Sequence, residues 1–67
     1  MIQVIVNGAA HRFDAPVNVR AVLETLEMAG KKVAVERNGE IVPKSLHREI
    51  LIQDGDQLEI VVAVGGG

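Results

Sequence analysis

Two Asn-Gly dipeptides, each lying between short runs of alternating apolar residues, constrain the fold of this chain most strongly. Asn7-Gly8 and Asn38-Gly39 both suit a type I′ turn, because that turn needs a positive φ at both central residues. Each dipeptide therefore predicts a two-residue connection between antiparallel strands. The four strands predicted around these turns cover residues 1–7, 10–14, 33–37 and 40–42.

The segment between the two hairpins predicts one amphipathic helix over residues 19–29. Its apolar residues recur at the spacing of a single helical face. They are Val19, Val22, Leu23, Leu26 and Ala29. Asn18 can cap the amino end, because its side chain can accept a hydrogen bond from a free backbone N–H. Gly30 is expected as the first residue beyond the carboxyl end.

The last third of the chain predicts a loop, a tight turn and a long strand. Residues 44–49 lack a clear period and suggest a loop with one helical turn, and residues 50–52 are expected to pack beneath the sheet. Asp54 and Asp56 flank a glycine and are interpreted as turn formers, since aspartate side chains bond nearby backbone N–H groups. The final strand is expected over residues 57–64, with alternate apolar residues facing inward.

One helix covering one face of a small sheet makes a two-layer α+β domain. If the first and last strands are parallel neighbours at the centre, the arrangement is a β-grasp, or ubiquitin-like, roll. We therefore predict a mixed sheet of four to five strands packed on one main helix. The domain is expected over residues 1–64 and a flexible tail over residues 65–67.

The composition argues against several classes of function. The 67 residues carry a net charge of −2 and one aromatic side chain, so nucleic-acid binding is not expected. Cysteine is absent, which excludes disulfides, a thiol nucleophile and a Cys-based zinc site. His11 and His47 are far apart in sequence and are expected at the surface, without a metal. No catalytic triad or phosphate-binding loop is visible, so we expect neither an enzyme nor a bound cofactor.

The same sequence gives expectations about location. No apolar run approaches the roughly 18 residues that a membrane span requires. The amino end lacks a basic segment followed by an apolar stretch, which is the pattern of a secretory signal. We therefore expect a cytoplasmic protein without a membrane partner.

Three glycines, Gly65, Gly66 and Gly67, follow the predicted final strand. Glycine loses more backbone entropy on ordering than other residues do, so this tail is expected to leave the sheet and stay mobile. Fully extended, it reaches about 10 Å and presents a carboxylate with no Cβ nearby. Such an end can enter a narrow slot in another protein.

Three segments of the chain resemble the ThiS-type sulfur carriers of thiamine thiazole biosynthesis. They cover residues 33–43, 54–61 and 63–67. The Asp-Gly-Asp turn, the final strand and the Gly-Gly ending resemble more loosely the small subunit of molybdopterin synthase. The run Glu-Arg-Asn-Gly-Glu-Ile-Val at residues 36–42 favours the thiazole branch.

The resemblance implies a protein cosubstrate. A ThiF-type, E1-like adenylyltransferase would use ATP and Mg²⁺ to convert the carboxylate of Gly67 into an acyl-adenylate. A sulfur donor system would then replace AMP and leave a thiocarboxylate, and a ThiG-type thiazole synthase would receive that sulfur. Two further readings stay open: a ubiquitin-like modifier joined through Gly67 to a target lysine, and an interaction module with an inert tail.

Four apolar residues are expected on the face of the sheet that points away from the helix. They are Ile5, Ala34, Val61 and Ala63. On adjacent central strands they would form a modest apolar patch, which predicts a docking surface, although single apolar residues at a surface are common. Glu59 is expected at the rim of this patch.

Overall fold

The structure is a computed structural model of the chain, and it describes residues 1–63. The elements along these residues are β1 (Ile2–Val6), β2 (Ala9–Phe13), β3 (Val17–Asn18), α1 (Val19–Thr25), β4 (Val33–Arg37), β5 (Glu40–Val42), β6 (Leu51–Ile52) and β7 (Gln57–Val62). A short 3₁₀ turn covers Lys44–Leu46, which agrees with the loop and single helical turn predicted for residues 44–49. The predicted tail over residues 65–67 and Val64, the last residue of the predicted final strand, lie outside the described residues.

Five of these strands form one mixed sheet in the order β2-β1-β7-β4-β5. β1 and β7 are parallel neighbours at the centre of the sheet, and the remaining neighbours are antiparallel. Helix α1 packs on one face through Val19, Val22 and Leu23, which belong to the same buried cluster as the strands. This is the β-grasp arrangement, so the predicted fold is confirmed. The sequence analysis did not predict β3 and β6, which form a two-stranded antiparallel pair.

Both predicted hairpin turns have the backbone that a type I′ turn requires. Asn7 and Gly8 have φ of 50° and 84°, and Asn38 and Gly39 have φ of 51° and 86°. The first turn joins β1 to β2 and the second joins β4 to β5. The two Asn-Gly dipeptides therefore fix the turns that lead into β2 and β5, the outer strands of the sheet.

Helix α1 ends four residues earlier than predicted, and Gly30 does not terminate it. Glu27 adopts a left-handed backbone with φ of 60°. Its N–H bonds the carbonyl of Glu24 at 3.1 Å, and the N–H of Met28 bonds the carbonyl of Leu23 at 2.8 Å. This pair of bonds is a Schellman motif, which satisfies carbonyls that the end of a helix leaves free. The early ending lets Met28 pack against the core.

The core lies between α1 and the inner face of the sheet. Its buried apolar residues are Ile2, Val4, Val6, Val19, Val22, Leu23, Val35, Val42, Ile52, Leu58 and Ile60. They include the three residues predicted inward on β1, Ile2, Val4 and Val6, and two of those predicted inward on the final strand, Leu58 and Ile60. Val33 and Val62, also predicted inward, pair with each other and are half-buried.

Asn18 connects the start of α1 to the segment that follows β5. Its Oδ1 accepts a hydrogen bond from the N–H of Ala21 at 2.8 Å, which confirms the predicted cap. Its Nδ2 donates to the carbonyl of Arg48 at 3.2 Å. One side chain thus begins the helix and holds the irregular segment against it. No helix among residues 1–63 has the length and apolar character needed to cross a membrane.

Candidate functional site

The central strand β7 leads towards the glycine tail and is held in place up to its last residues. Val62 pairs with Val33 of β4. The next residue, Ala63, donates its backbone N–H to the carbonyl of Lys32 at 2.8 Å. Ala63 is therefore anchored beside the beginning of β4. The predicted sulfur-carrying residue Gly67, with Gly65 and Gly66, lies outside the described residues.

A buried carboxylate holds the turn from which β7 starts. Asp56 is 7% exposed and accepts hydrogen bonds from Arg37 Nε at 2.8 Å, Asn38 Nδ2 at 3.0 Å and the N–H of Gln53 at 2.8 Å. Burial by itself raises the pKa of Asp56, but these hydrogen bonds and the positive charge of Arg37 outweigh it. The pKa of Asp56 is therefore held below its ordinary value.

The other aspartate of this turn, Asp54, bonds a strand that is distant in sequence. Asp54 Oδ1 accepts a hydrogen bond from the N–H of Gln3 at 2.8 Å, and the N–H of Gly55 donates to the carbonyl of Gln3 at 2.9 Å. These bonds join the turn to β1. The interpretation as a turn former is confirmed for Asp56, whose side chain accepts from the nearby N–H of Gln53. It is wrong for Asp54, whose side chain bonds the backbone of β1 and not a neighbour in the turn.

The side chain of Asn7 fixes the middle of β7. Its Nδ2 donates to the carbonyl of Ile60 at 3.0 Å, and its Oδ1 accepts from the N–H of Ile60 at 2.8 Å. The backbone pairing of β1 with β7 covers Ile5 and Val6, so the amide of Asn7 extends that pairing along β7. The strand that carries the tail thus has one defined register against β1.

The structure brings together part of the predicted docking patch. Val61 and Ala34 are paired directly across β7 and β4. Both side chains are exposed, and 62% of Val61 is accessible. Ala63 is exposed two residues further along. These three residues lie at or beside the carboxyl end of β7, and their docking role stays a prediction.

Ile5 does not join them. It is half-buried and pairs with Gln57, which lies four residues before Val61 along β7, a distance of about 13 Å at the usual rise of a strand. Glu59 lies between these two levels, opposite Glu36 of β4. The predicted patch is therefore split, and Glu59 separates Ile5 from the group formed by Val61, Ala34 and Ala63.

The sequence analysis missed one apolar residue on this face. Ile41 of β5 pairs with Glu36 and is 64% exposed. Its place beside Glu36 follows from the register of the second hairpin. Because Val35 pairs with the buried Val42, the neighbouring Ile41 has to point to the opposite face. That alternation is the signal from which it could have been found.

His47 is not at the surface, contrary to expectation. It is 7% exposed, and its Nε2 lies 3.2 Å from the carbonyl of Val42. The carbonyl of His47 in turn accepts a hydrogen bond from the N–H of Arg20 at 3.0 Å. His47 therefore joins the segment after β5 to both the sheet and α1. His11 is half-buried on β2, and among residues 1–63 no cluster of side chains could hold a metal ion.

Comparison with known proteins decides which family this β-grasp domain represents. The sequence model of the ThiS family matches residues 4–67. The chain belongs to the ThiS family. The sulfur carrier protein ThiS of Escherichia coli is 30% identical over 66 residues, which cover 98% of this chain and all of that protein. The resemblance inferred from residues 33–43, 54–61 and 63–67 is thereby confirmed.

A solved structure and a longer relative extend the comparison. The crystal structure of thiamine biosynthesis protein ThiS from Geobacter metallireducens superposes with a TM-score of 0.82 at 32% identity, covering 98% of this chain and 100% of that one. A thiazole synthase of Paramagnetospirillum magneticum is 47% identical over 66 residues. These cover 98% of this chain, which spans only 20% of the length of that synthase. A ThiS-like segment is thus part of that longer protein.

Proposed function

We propose that this chain carries sulfur as a thiocarboxylate on Gly67 and delivers it for the thiazole ring of thiamine. The observation that carries the proposal is membership of the ThiS family, whose match runs through the final glycines. ThiS sulfur carriers are small carrier proteins, and this chain likewise acts as a cosubstrate and not as an enzyme. We place the reaction in the cytoplasm, and ATP and Mg²⁺ belong to the activating partner.

The chemistry needs two steps on one carboxyl group. A carboxylate is a poor electrophile, so an oxygen of Gly67 first attacks the α-phosphorus of ATP, and pyrophosphate leaves. Sulfur at the oxidation level of sulfide then attacks the acyl carbon, and the bond to AMP breaks. The product is a thiocarboxylate, which is a good nucleophile at neutral pH.

The residues of this chain hold the strand from which the tail extends. Ala63 is held by Lys32, and β7 is held by Asn7 and Asp56. Only four residues separate Ala63 from the carboxylate, a reach of about 13–14 Å when extended. The bare backbone of Gly65, Gly66 and Gly67 suits a channel that side chains would block.

Two partners follow from this chemistry. A ThiF-type adenylyltransferase supplies the acyl-adenylate, with a sulfur donor system acting next. A ThiG-type thiazole synthase accepts the sulfur, and the ThiS-like segment within the thiazole synthase of P. magneticum supports this second partner.

Intact mass spectrometry of the protein isolated from its own cells tests the proposal. A fraction heavier by the difference between one sulfur and one oxygen atom, located on Gly67 by fragmentation, is expected, and this fraction should disappear when the thiazole synthase is supplied together with the substrates that accept the sulfur. Adducts with other proteins would indicate a ubiquitin-like modifier. Consumption of the heavier form by the large subunit of molybdopterin synthase, and not by thiazole synthase, would indicate the molybdopterin branch. The unmodified mass alone would indicate an inert tail.

A further inference from the structure

A groove of about 580 Å³ lies beside the carboxyl end of β7, where Ala63 lines it. Five of the seven lysines and arginines of the sequence line it, although the whole chain has a net charge of −2. These residues are Arg20, Lys31, Lys32, Lys44 and Arg48. They come from three segments: the start of α1, the connection before β4, and the residues after β5. Among residues 1–63, no carboxylate side chain lines the groove.

The groove combines this charge with an apolar floor. Leu23, Ala29 and Val33 contribute apolar surface. Ala34 and Ala63 also line it, so the groove is continuous with the exposed face around Val61. A surface with an apolar floor and a cationic border is suited to a protein segment that carries carboxylates.

One cation of the groove lacks a hydrogen-bond acceptor. The Nε of Arg20 is buried and has no hydrogen-bond partner among residues 1–63. Its nearest carboxylate, that of Glu24, lies at 3.7 Å, which is beyond hydrogen-bond distance. The contact of Arg20 with Glu24 is therefore an ion pair without a hydrogen bond at Nε.

The backbone disfavours a phosphate ligand at this place. Phosphate sites commonly use free backbone N–H groups, but three of those along the groove are already bonded. The N–H groups of Arg20, Lys31 and Ala63 donate to the carbonyls of His47, Met28 and Lys32, respectively. The cations therefore act through side chains spread over three segments, an arrangement that can meet several carboxylates along one peptide.

We propose that this groove binds an acidic segment of the activating enzyme as that enzyme takes up the tail. The inference rests on the proposed function, because adenylation of Gly67 requires the enzyme's surface to approach Ala63. Association should consequently be accelerated by opposite charges, as electrostatic steering raises association rates by factors of about 10–10³.

Association kinetics of the purified ThiF-type enzyme with charge-reversal variants test the groove. Lys32→Glu and Lys44→Glu reverse cations on two different segments, and both side chains are exposed. Arg12→Glu is the matched control. It causes the same change of net charge, from −2 to −4, on the exposed side of β2, outside the groove. Circular dichroism should be the same for all four proteins.

Each groove variant is expected to slow association by about tenfold at 0.1 M salt, whereas Arg12→Glu stays within about twofold of the parent chain. The difference should shrink at about 1 M salt, where the Debye length falls from about 10 Å to about 3 Å. Equal slowing by all three substitutions, or no slowing, would overturn the proposal. Binding of ATP to the carrier alone, lost in Lys32→Glu, would also overturn it in favour of a nucleotide site.

The two proposals fail in different ways. A carrier that associates in a charge-dependent manner but is not adenylated would overturn the proposed function and leave the groove assignment standing. Normal adenylation together with association rates that do not depend on the groove charges would support the proposed function and overturn the groove assignment.

Discussion

Arg37 at the end of β4 donates a hydrogen bond from Nε to Oδ2 of Asp56 at 2.8 Å. This ion pair joins the second hairpin to the turn that starts β7, and its carboxylate is 90% shielded from solvent. Asn38 and the backbone of Gln53 complete the arrangement. This buried ion pair therefore lies beside the start of β7, at the end of that strand opposite Ala63.

We expect Asp56→Asn to destabilise the fold in a pH-dependent way. Hydrogen bonds to a charged group contribute about 1.5–3 kcal/mol, and the substitution removes the charge. Since the folded pKa is lower than the unfolded value of about 3.9, the contribution is full above about pH 5. It is lost as the pH falls through the folded pKa. Denaturant unfolding at pH 7 and at about pH 3 measures both quantities.

Asp54→Asn is the control for this prediction, because Asp54 is exposed and an amide oxygen can still accept from Gln3. It should change the free energy of unfolding by no more than about 0.5 kcal/mol. The pH dependence should remain in Asp54→Asn and weaken in Asp56→Asn. Equal pH profiles for the parent chain and Asp56→Asn would contradict the role assigned to this carboxylate.

Glu27→Gly should stabilise the protein. Glu27 holds a left-handed backbone with φ of 60°, which costs a residue with a Cβ about 1–2 kcal/mol, whereas glycine adopts it freely. After the larger entropy of an unfolded glycine is taken into account, we expect a gain of about 0.5–1 kcal/mol in the free energy of unfolding. Thermal melting should rise by a few degrees, since about 1 kcal/mol shifts a domain of this size by about 4–8 °C.

Glu24→Gly, three residues earlier and inside α1, is the matched control. The same substitution there should lower stability by about 0.5–1 kcal/mol, because glycine disfavours a helix interior. Destabilisation by both substitutions would mean that the helix continues through Glu27 in solution.

Val61→Asp should leave the fold intact and weaken binding to the activating enzyme by about tenfold, or about 1.4 kcal/mol. The reason is that Val61 is exposed beside Ala34, so a charge there disturbs an approaching apolar surface but not the core. Leu51→Asp is the control, since Leu51 is 50% exposed on β6, away from this face. Titration calorimetry and circular dichroism provide the measurements. Unchanged affinity of a folded Val61→Asp protein would remove the patch from the interface.

Deleting Gly67 should abolish most activation while leaving stability nearly unchanged. A terminal residue contributes little to stability unless it is tied to the domain. The shortened carboxylate would end about 3.5 Å from its working position, and such a misplacement can cost a hundredfold or more. ATP–pyrophosphate exchange with the activating enzyme measures the effect. Exchange at the parent rate would show that the Gly67 carboxylate is not the reacting group.

Gly66→Val tests the requirement for bare backbone separately from the length of the tail. Its side chain should obstruct a narrow channel, so exchange should fall although the carboxylate keeps its distance from Ala63. Gly30→Val is the control, because a Cβ at Gly30 meets no atom within 4 Å and the residue is exposed. Full exchange by Gly66→Val would mean that the channel tolerates a side chain.

Short-range signals in the sequence determined a large part of this protein. Asn7-Gly8 and Asn38-Gly39 place both hairpins, because few other dipeptides accept two positive φ angles. Asn18 begins the helix by bonding a residue three positions away. The alternation along β1 and β7 predicts the inner face of the sheet. The ThiS signature is likewise carried by contiguous residues, so family and fold could be inferred before any contact was known.

The tertiary structure decided what depends on residues distant in sequence. Local preference favoured Gly30 as the end of the helix, but burial of a methionine side chain contributes up to about 1.5–3 kcal/mol. Met28 is half-buried against the core, so its packing offsets part of the cost of a left-handed Glu27. The register of β7, set through Asn7 and Asp56, likewise separates Ile5 from Val61.

The basic groove is the clearest example of a feature that depends on residues distant in sequence. Arg20, Lys32 and Lys44 belong to three segments that are more than ten residues apart, and each of them alone is an ordinary exposed or half-exposed cation. Periodicity and turn preferences describe only neighbours along the chain. Folding α1 against β4 and the segment after β5 brings the three charges to one surface, because those elements share a single buried core.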